Sequence, residues 1–115
     1  MNAAPDPFAG VAEWLKALSD PTRLRLLHAL KDGGEKSVTD LLAGCQCSQA
    51  NVSRHLSVLR EQGLVSCRRD GMRILYRIAD PAVFAVCETV CSAIGRPLPA
   101  PGPSPARRLA AGGRS

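Results

Sequence analysis

Two groups of side chains in this chain have the types and spacing to do chemistry. The first is a polar strip around residues 48–60. Ser48, Gln49, Ala50, Ser53, Arg54, Ser57 and Arg60 are small or hydrogen-bonding residues plus two guanidiniums. Among them Val52, Leu56 and Leu59 recur at i, i+4 and i+7, the spacing of one buried helix face. A helix that buries that stripe leaves the polar strip outside, with no large apolar residue to hide. A DNA major groove asks for such a face. Gln and Ser reach base edges, and Arg pairs with guanine or phosphate. His55 lies one turn from Val52, where it either touches DNA or packs at the edge of the core. A polar face on an isolated helix would be merely solvated, so its neighbours must decide.

The second group is sulfur. Cys87 and Cys91 are spaced i, i+4, which puts both thiols on one helix face about 5–6 Å apart at Cβ. That separation suits two thiolates on one soft ion such as As(III), Sb(III), Cd(II) or Hg(II). A disulfide between them within a regular helix is geometrically awkward. Free cysteine also packs as a small hydrophobe, and this face is apolar. Cys45 and Cys47 bracket Gln46 just before the polar helix, and Cys47 lies near its N-terminus, where the helix dipole lowers a thiol pKa. They form a second candidate thiol site. Cys67 sits among arginines on a strand and reads as structural or incidental.

The elements that must position these groups are legible from periodicity and caps. Phe8, Val11, Ala12, Leu15 and Leu18 form the stripe of a first helix over residues 8–18. Asp20 caps a second helix with Pro21 in its first position, and Leu24, Leu27 and Leu30 supply its buried side. Ser37 caps a short third helix, with Asp40 three residues on as a capping box. Ser48 caps the polar helix, and Gly63 stops it. Residues 64–69 and 72–78 then read as two strands around an Asp70-Gly71 turn. Met72, Ile74, Tyr76 and Ile78 alternate with Arg73, Leu75 and Arg77, so one hairpin face should pack on the body and the other carry arginines. Arg68, Arg69 and Arg73 flank the tip, placed for phosphate or minor-groove contact. Asp80 and Pro81 open a last helix with a wide apolar face: Val83, Phe84, Cys87, Val90, Cys91 and Ile94.

Asp20-Pro21-Thr22-Arg23, then Ser48-Gln49 through Leu56, then Leu59-Arg60-Glu61-Gln62-Gly63-Leu64-Val65 and the arginine hairpin stand in one order and spacing. Over residues 8–94 this resembles the ArsR/SmtB family of bacterial repressors. The resemblance implies a mainly α fold with a β-hairpin wing. That fold would be a winged helix-turn-helix, dimeric through the first and last helices. It also implies a homodimer on double-stranded operator DNA, released by an inducer bound on the helices. The family's arsenic-sensing Cys-Val-Cys is replaced here by Ser37, Val38 and Thr39. Its zinc pattern needs histidine on the last helix, which has Asp80 but no His; the chain's histidines are His28 and His55. A soft metal or metalloid at the cysteines is therefore the expected inducer, with no cofactor required. Persulfide or oxidation at cysteine pairs is the alternative.

Composition bounds the rest. The 115 residues are 45% hydrophobic with only four aromatic side chains, enough for one modest aliphatic core that gains from a partner. Of the net charge of +5, four arginines at 96, 107, 108 and 114 contribute +4, so overall basicity says little about the body. Residues 1–7 read as a flexible arm. Residues 95–115 read as a disordered tail of alternating proline with alanine, glycine and arginine. No run of 18 apolar residues and no basic start followed by an apolar block points to a membrane or to export, so a cytoplasmic protein is expected, its cysteines thiols rather than structural disulfides. An enzyme, for example a small thiol reductase using Cys45 and Cys47, is disfavoured by the lack of C-x-x-C and of a βαβ pattern. A protein-interaction winged helix is disfavoured by the arginine wing. Deleting residues 96–115 should leave folding and dimerisation intact, because a proline-alternating segment adds no packed core; a large drop in melting temperature would contradict this.

Overall fold

A computed structural model describes residues 6–98. The chain runs α1 (Pro7–Leu18), α2 (Pro21–Ala29), β1 (Lys36–Ser37), α3 (Val38–Leu42), α4 (Gln49–Glu61), β2 (Val65–Asp70), β3 (Arg73–Ile78) and α5 (Ala82–Ile94). The strands form one antiparallel sheet in the order β1-β3-β2. This is the mainly helical, hairpin-bearing architecture that the sequence predicts.

Helices α1 to α4 each start where the N-cap side chain accepts from an orphan N–H of the first turn. Asp6 accepts from Phe8 N–H at 2.9 Å, with Pro7 in the first position, so α1 begins inside the expected arm. Residues 1–5 of that arm and 99–115 of the tail lie outside the described residues. Asp20 accepts from Arg23 N–H at 3.0 Å, and Pro21 follows it. Ser37 and Asp40 form the reciprocal capping box, at 3.1 and 3.0 Å. Ser48 accepts from Asn51 N–H at 3.1 Å.

The core gathers Ala17, Leu26, Leu27, Leu30, Leu41, Val52, Leu56, Leu59, Leu64, Val65, Tyr76 and Val83. On α2 the buried pair is Leu26 and Leu27, with Leu30, while Leu24 is only half-buried. The expected stripe is one position too narrow because α2 is flanked by both α1 and α4. On α1 the inward side is Trp14, Ala17 and Leu18. The expected stripe of Phe8, Val11 and Leu15 is instead exposed, Phe8 to 80%. On α5, Val83 is buried, whereas Val90 and Ile94 are exposed.

The hairpin departs from expectation in register. Asp70 pairs with Arg73, so the two-residue turn is Gly71-Met72 rather than Asp70-Gly71. Gly71 has φ +64 and, among the described residues, no non-glycine residue has a positive φ, which is the II′ arrangement with glycine first. The expected turn would set Arg68 opposite Arg73; the observed one sets Asp70 opposite Arg73 and removes a like-charge pair. The in–out alternation is also corrected. Met72 is fully exposed and Ile74 is 41% exposed, because both sit toward the tip of the hairpin. Leu75 and Tyr76 are both buried although successive strand residues face opposite ways. At its base β3 is the middle strand, flanked by β1, whose two residues carry no periodicity that sequence could reveal.

Two stability predictions follow from these contacts. Leu56 is wholly buried, so Leu56→Ala should cost about 2–5 kcal/mol in urea unfolding. The N–H of Arg23 holds the Asp20 carboxyl below its ordinary range, although its partial burial works the other way. A depressed native pKa stabilises at pH above the unfolded value and is lost as pH falls through the native one. Asp20→Ala should therefore cost about 0.5–2 kcal/mol at neutral pH, and its gap from the parent should shrink on acidification below the ordinary carboxylate range.

Candidate nucleic-acid interface and thiol sites

The α3–turn–α4 unit is held at both ends of α4. Ser48 caps the start. At the other end Gly63 takes φ +73, its N–H meets the Arg60 carbonyl at 2.9 Å, and Leu64 N–H meets the Leu59 carbonyl at 3.0 Å. This Schellman closure stops the helix and delivers Leu64 and Val65 into the core. The azimuth of α4 is set by Val52, Leu56 and Leu59, all with zero exposure. Gln49, Ala50, Arg54, Ser57 and Arg60 are consequently exposed together with Ser48, and Ser53 is half-buried beside them. Arg54 Nη2 donates to Asn51 Oδ1 at 2.6 Å, which steadies the guanidinium along the helix. The structure thus brings together the expected polar strip, with one exception. His55 turns inward, its side chain 13% exposed, with Nδ1 3.1 Å from Arg23 Nη1 and Nε2 3.9 Å from Asp20 Oδ2.

The wing arginines have partners that the sequence does not show. Arg68 Nε and Nη2 donate to the two Glu35 oxygens at 2.7 and 2.8 Å, a bidentate pair. That hydrogen bond is the main reason the Glu35 carboxyl is held low and the Arg68 guanidinium high. Arg73 Nη2 lies 3.8 Å from Asp40 Oδ2. Both arginines stay more than half exposed, so they remain open to an incoming anion while oriented by an acid of the body. Arg69 is exposed on β2 beside Arg68.

The cysteines fall into three environments. Cys45 and Cys47 are joined as a disulfide across Gln46, their Cα atoms 5.5 Å apart, in the turn between α3 and α4. This corrects the expectation of thiols there. The turn folds back through Gly44 N–H to Leu41 and Cys45 N–H to Leu42, and the two side chains meet. Cys87 and Cys91 are free and half-buried on α5. Burial, and then the neighbouring Cys91, push the Cys87 thiol up, against a lowering by Lys31. Lys31 also sits 5.3 Å from the Phe84 ring centre, tying α5 to the end of α2. Cys67 has a partner that its sequence context hid: Arg60 Nη1 lies 3.2 Å from its sulfur, linking the wing to α4. Among the described residues no group of three or more His, Cys, Asp or Glu side chains gathers to hold a metal ion. No helix among them is long and apolar enough to cross a membrane.

Comparison with known proteins bears on the same region. Residues 18–68 match the helix-turn-helix domain family. The chain is 43% identical over 72 residues to a probable mercury resistance operon repressor of Streptomyces lividans, covering 63% of this chain and 57% of that protein. It is 46% identical over 79 residues to a transcriptional repressor SmtB homolog of Synechocystis, covering 69% of this chain and 59% of that protein. The chain therefore spans less than two thirds of either relative. A solution structure from Mycobacterium bovis, a homodimeric winged helix-turn-helix DNA-binding domain described as a possible ArsR-family regulator, aligns with TM-score 0.67 at 31% identity. That alignment covers 80% of this chain and 91% of the other. With the order α3–turn–α4–hairpin and the motifs that carry it, the chain belongs to the ArsR/SmtB family of winged helix-turn-helix transcriptional regulators.

Proposed function

We propose that this protein is a homodimeric, non-enzymatic repressor. It binds operator DNA through α4 and the wing, and leaves it when a thiophilic inducer reacts with its cysteines. The observation that carries the DNA reading is the split of α4. Its apolar side is sealed in the core, and its exposed side offers Gln49, Ala50, Ser53, Arg54 and Ser57, next to a wing bearing Arg68, Arg69 and Arg73. Two such helices in successive major grooves would read a palindromic site. The dimer reading rests on the exposed apolar side chains of α1 and α5, chiefly Phe8, Val11, Val90 and Ile94, and on the homodimeric M. bovis relative.

The inducer reading centres on Cys87 and Cys91. Two half-buried sulfurs on one helix face suit a soft cation that accepts two thiolates, and the S. lividans relative is named for mercury resistance. Binding would displace a proton that burial holds on Cys87, so inducer affinity should rise with pH. Charge and bulk arriving on an interface helix would re-pack it. A coupling of about 1–3 kcal/mol weakens operator binding some five- to 150-fold. A second reading, release by persulfide or oxidation, is favoured by one observation. Cys45 and Cys47 close a disulfide in the turn directly before α4, where a change of redox state reaches the DNA helix without passing through the dimer.

Two experiments test these readings. Arg54→Ala should weaken binding to a duplex spanning the protein's own promoter and flatten its salt dependence. Gln49→Ala with Ser53→Ala should cost discrimination more than non-specific affinity. If both variants are dimeric and bind like the parent, α4 is not the reading helix. Titrating the DNA complex with As(III), Sb(III), Cd(II), Hg(II) and a persulfide donor separates the sensors. Cys87→Ser and Cys91→Ser should blunt release by the ions and leave uninduced binding unchanged. A parent-like response from both, with loss in Cys45→Ser or Cys47→Ser, would move the sensor to the turn.

A further inference from the structure

A hydrogen-bonded bridge at the start of α2 plays no part in the DNA contacts or the thiol chemistry described above. Arg23 lies in the first turn of α2, and its guanidinium is divided three ways. Nε donates to the Ala17 carbonyl at 2.7 Å, and Nη2 donates to the Lys16 carbonyl at 3.2 Å. These carbonyls belong to the last turn of α1; Lys16 O also accepts from Ser19 N–H at 3.1 Å and Ser19 Oγ at 2.8 Å, so the short bond to Ala17 O is the main hold of Arg23 on α1. Nη1 faces His55 Nδ1 at 3.1 Å, on the inner side of α4. Asp20 Oδ2 caps Arg23 N–H at 3.0 Å and lies 3.9 Å from His55 Nε2. The carboxylate favours the ring proton on Nε2, which leaves the Nδ1 lone pair facing the arginine.

We propose that Arg23 and His55 are positioning residues that fix the angle of α4 against α1, so that the placement of α1 in the dimer is transmitted to the DNA-reading face. This rests on the reading of α4 as the operator helix and α1 as a dimer helix. The physical reason is the shape of the donor. Apolar burial fixes which face of α4 points inward, but it is non-directional and does not by itself specify a helix–helix angle as a directed hydrogen bond does. A guanidinium is a rigid planar fork, and its three engaged nitrogens admit one relative placement of their acceptors. α1 packs on α2 and α2 on α4, and Arg23 reaches from α2 into both. A shift of the α1 terminus relative to α4 must break one of these bonds and leave a part-buried polar group without its partner. Neither side chain is spent on the exposed strip, so their influence on DNA runs through geometry alone.

The test measures binding to the promoter duplex at several salt concentrations for the parent, Arg23→Met, His55→Leu, the double variant and His55→Asn. Folded fraction and dimer content are followed by circular dichroism and sedimentation. Each single change should lower operator affinity on the order of tenfold. The double variant should bind no worse than the weaker single one, because both remove the same link. The slope against salt should match the parent's, since no phosphate contact is lost. His55→Asn, which can place a side-chain oxygen near the position of Nδ1, should recover most of the affinity. Folded, dimeric single variants that bind like the parent overturn the proposal, as do additive losses or no recovery in His55→Asn. A flattened salt slope also overturns it, by making one of these residues a phosphate contact. If Arg23→Met does not fold, the contrast between His55→Leu and His55→Asn decides alone. A parent that does not bind the duplex sinks the α4 reading itself, which parent-like variants would leave standing.

Discussion

The complete burial of Val52, Leu56 and Leu59 along one side of α4 is the constraint on which the rest depends. Each buried side chain of this kind stabilises the fold by roughly 1.5–3 kcal/mol relative to exposure. Rotating α4 by one residue would bring polar or charged groups toward that seam, and burying them without partners would be unfavourable. The rotation of α4 is therefore set by hydrophobic burial, and the exposed polar strip is its consequence. The same seam fixes the exit of the chain. The Schellman closure at Gly63 places Leu64 and Val65 in the core, and β2 leaves the body there toward the wing.

Charge is arranged so that the wing is oriented before any partner arrives. Arg68 is forked onto Glu35, Arg73 lies near Asp40 and opposite Asp70, and Arg54 leans on Asn51. Exposed pairs of this kind contribute little to stability. A phosphate can replace the carboxylate at small cost, and the guanidinium already points outward. The net charge of +5 is a poor guide to this arrangement, because most of it belongs to residues 95–115.

The sulfurs lie at two different mechanical distances from α4. Cys45 and Cys47 sit in the turn that feeds it, where a change acts locally. Cys87 and Cys91 sit on α5, whose outer face is exposed in a single chain, so they can act only through what α5 packs against. Arg23 links the end of α1 to α4 through directed hydrogen bonds to the Ala17 carbonyl and to His55.

Residues close in sequence already determined much of this. Caps act within one turn, so Asp20, Ser37 and Ser48 mark their helices from the chain alone. The stripe on α4 is written in a period of 3.6, and the exposed polar strip follows from it. Tertiary structure decided what depends on residues far apart. The fork between Arg68 and Glu35 spans 33 positions, and the contact between Arg23 and His55 spans 32. No local pattern pairs one arginine with a particular acid or imidazole at such a distance, so the sequence left His55 either on the DNA face or at the core edge, and packing turned it inward. The hairpin turn moved by one residue because pairing Asp70 with Arg73 outweighed the local Asp-Gly signal. The two-residue β1 exists only because β3 has a free edge for it. Periodicity and capping are local and survive in sequence; register, charge pairing and helix angle come from contacts that form only when distant segments meet.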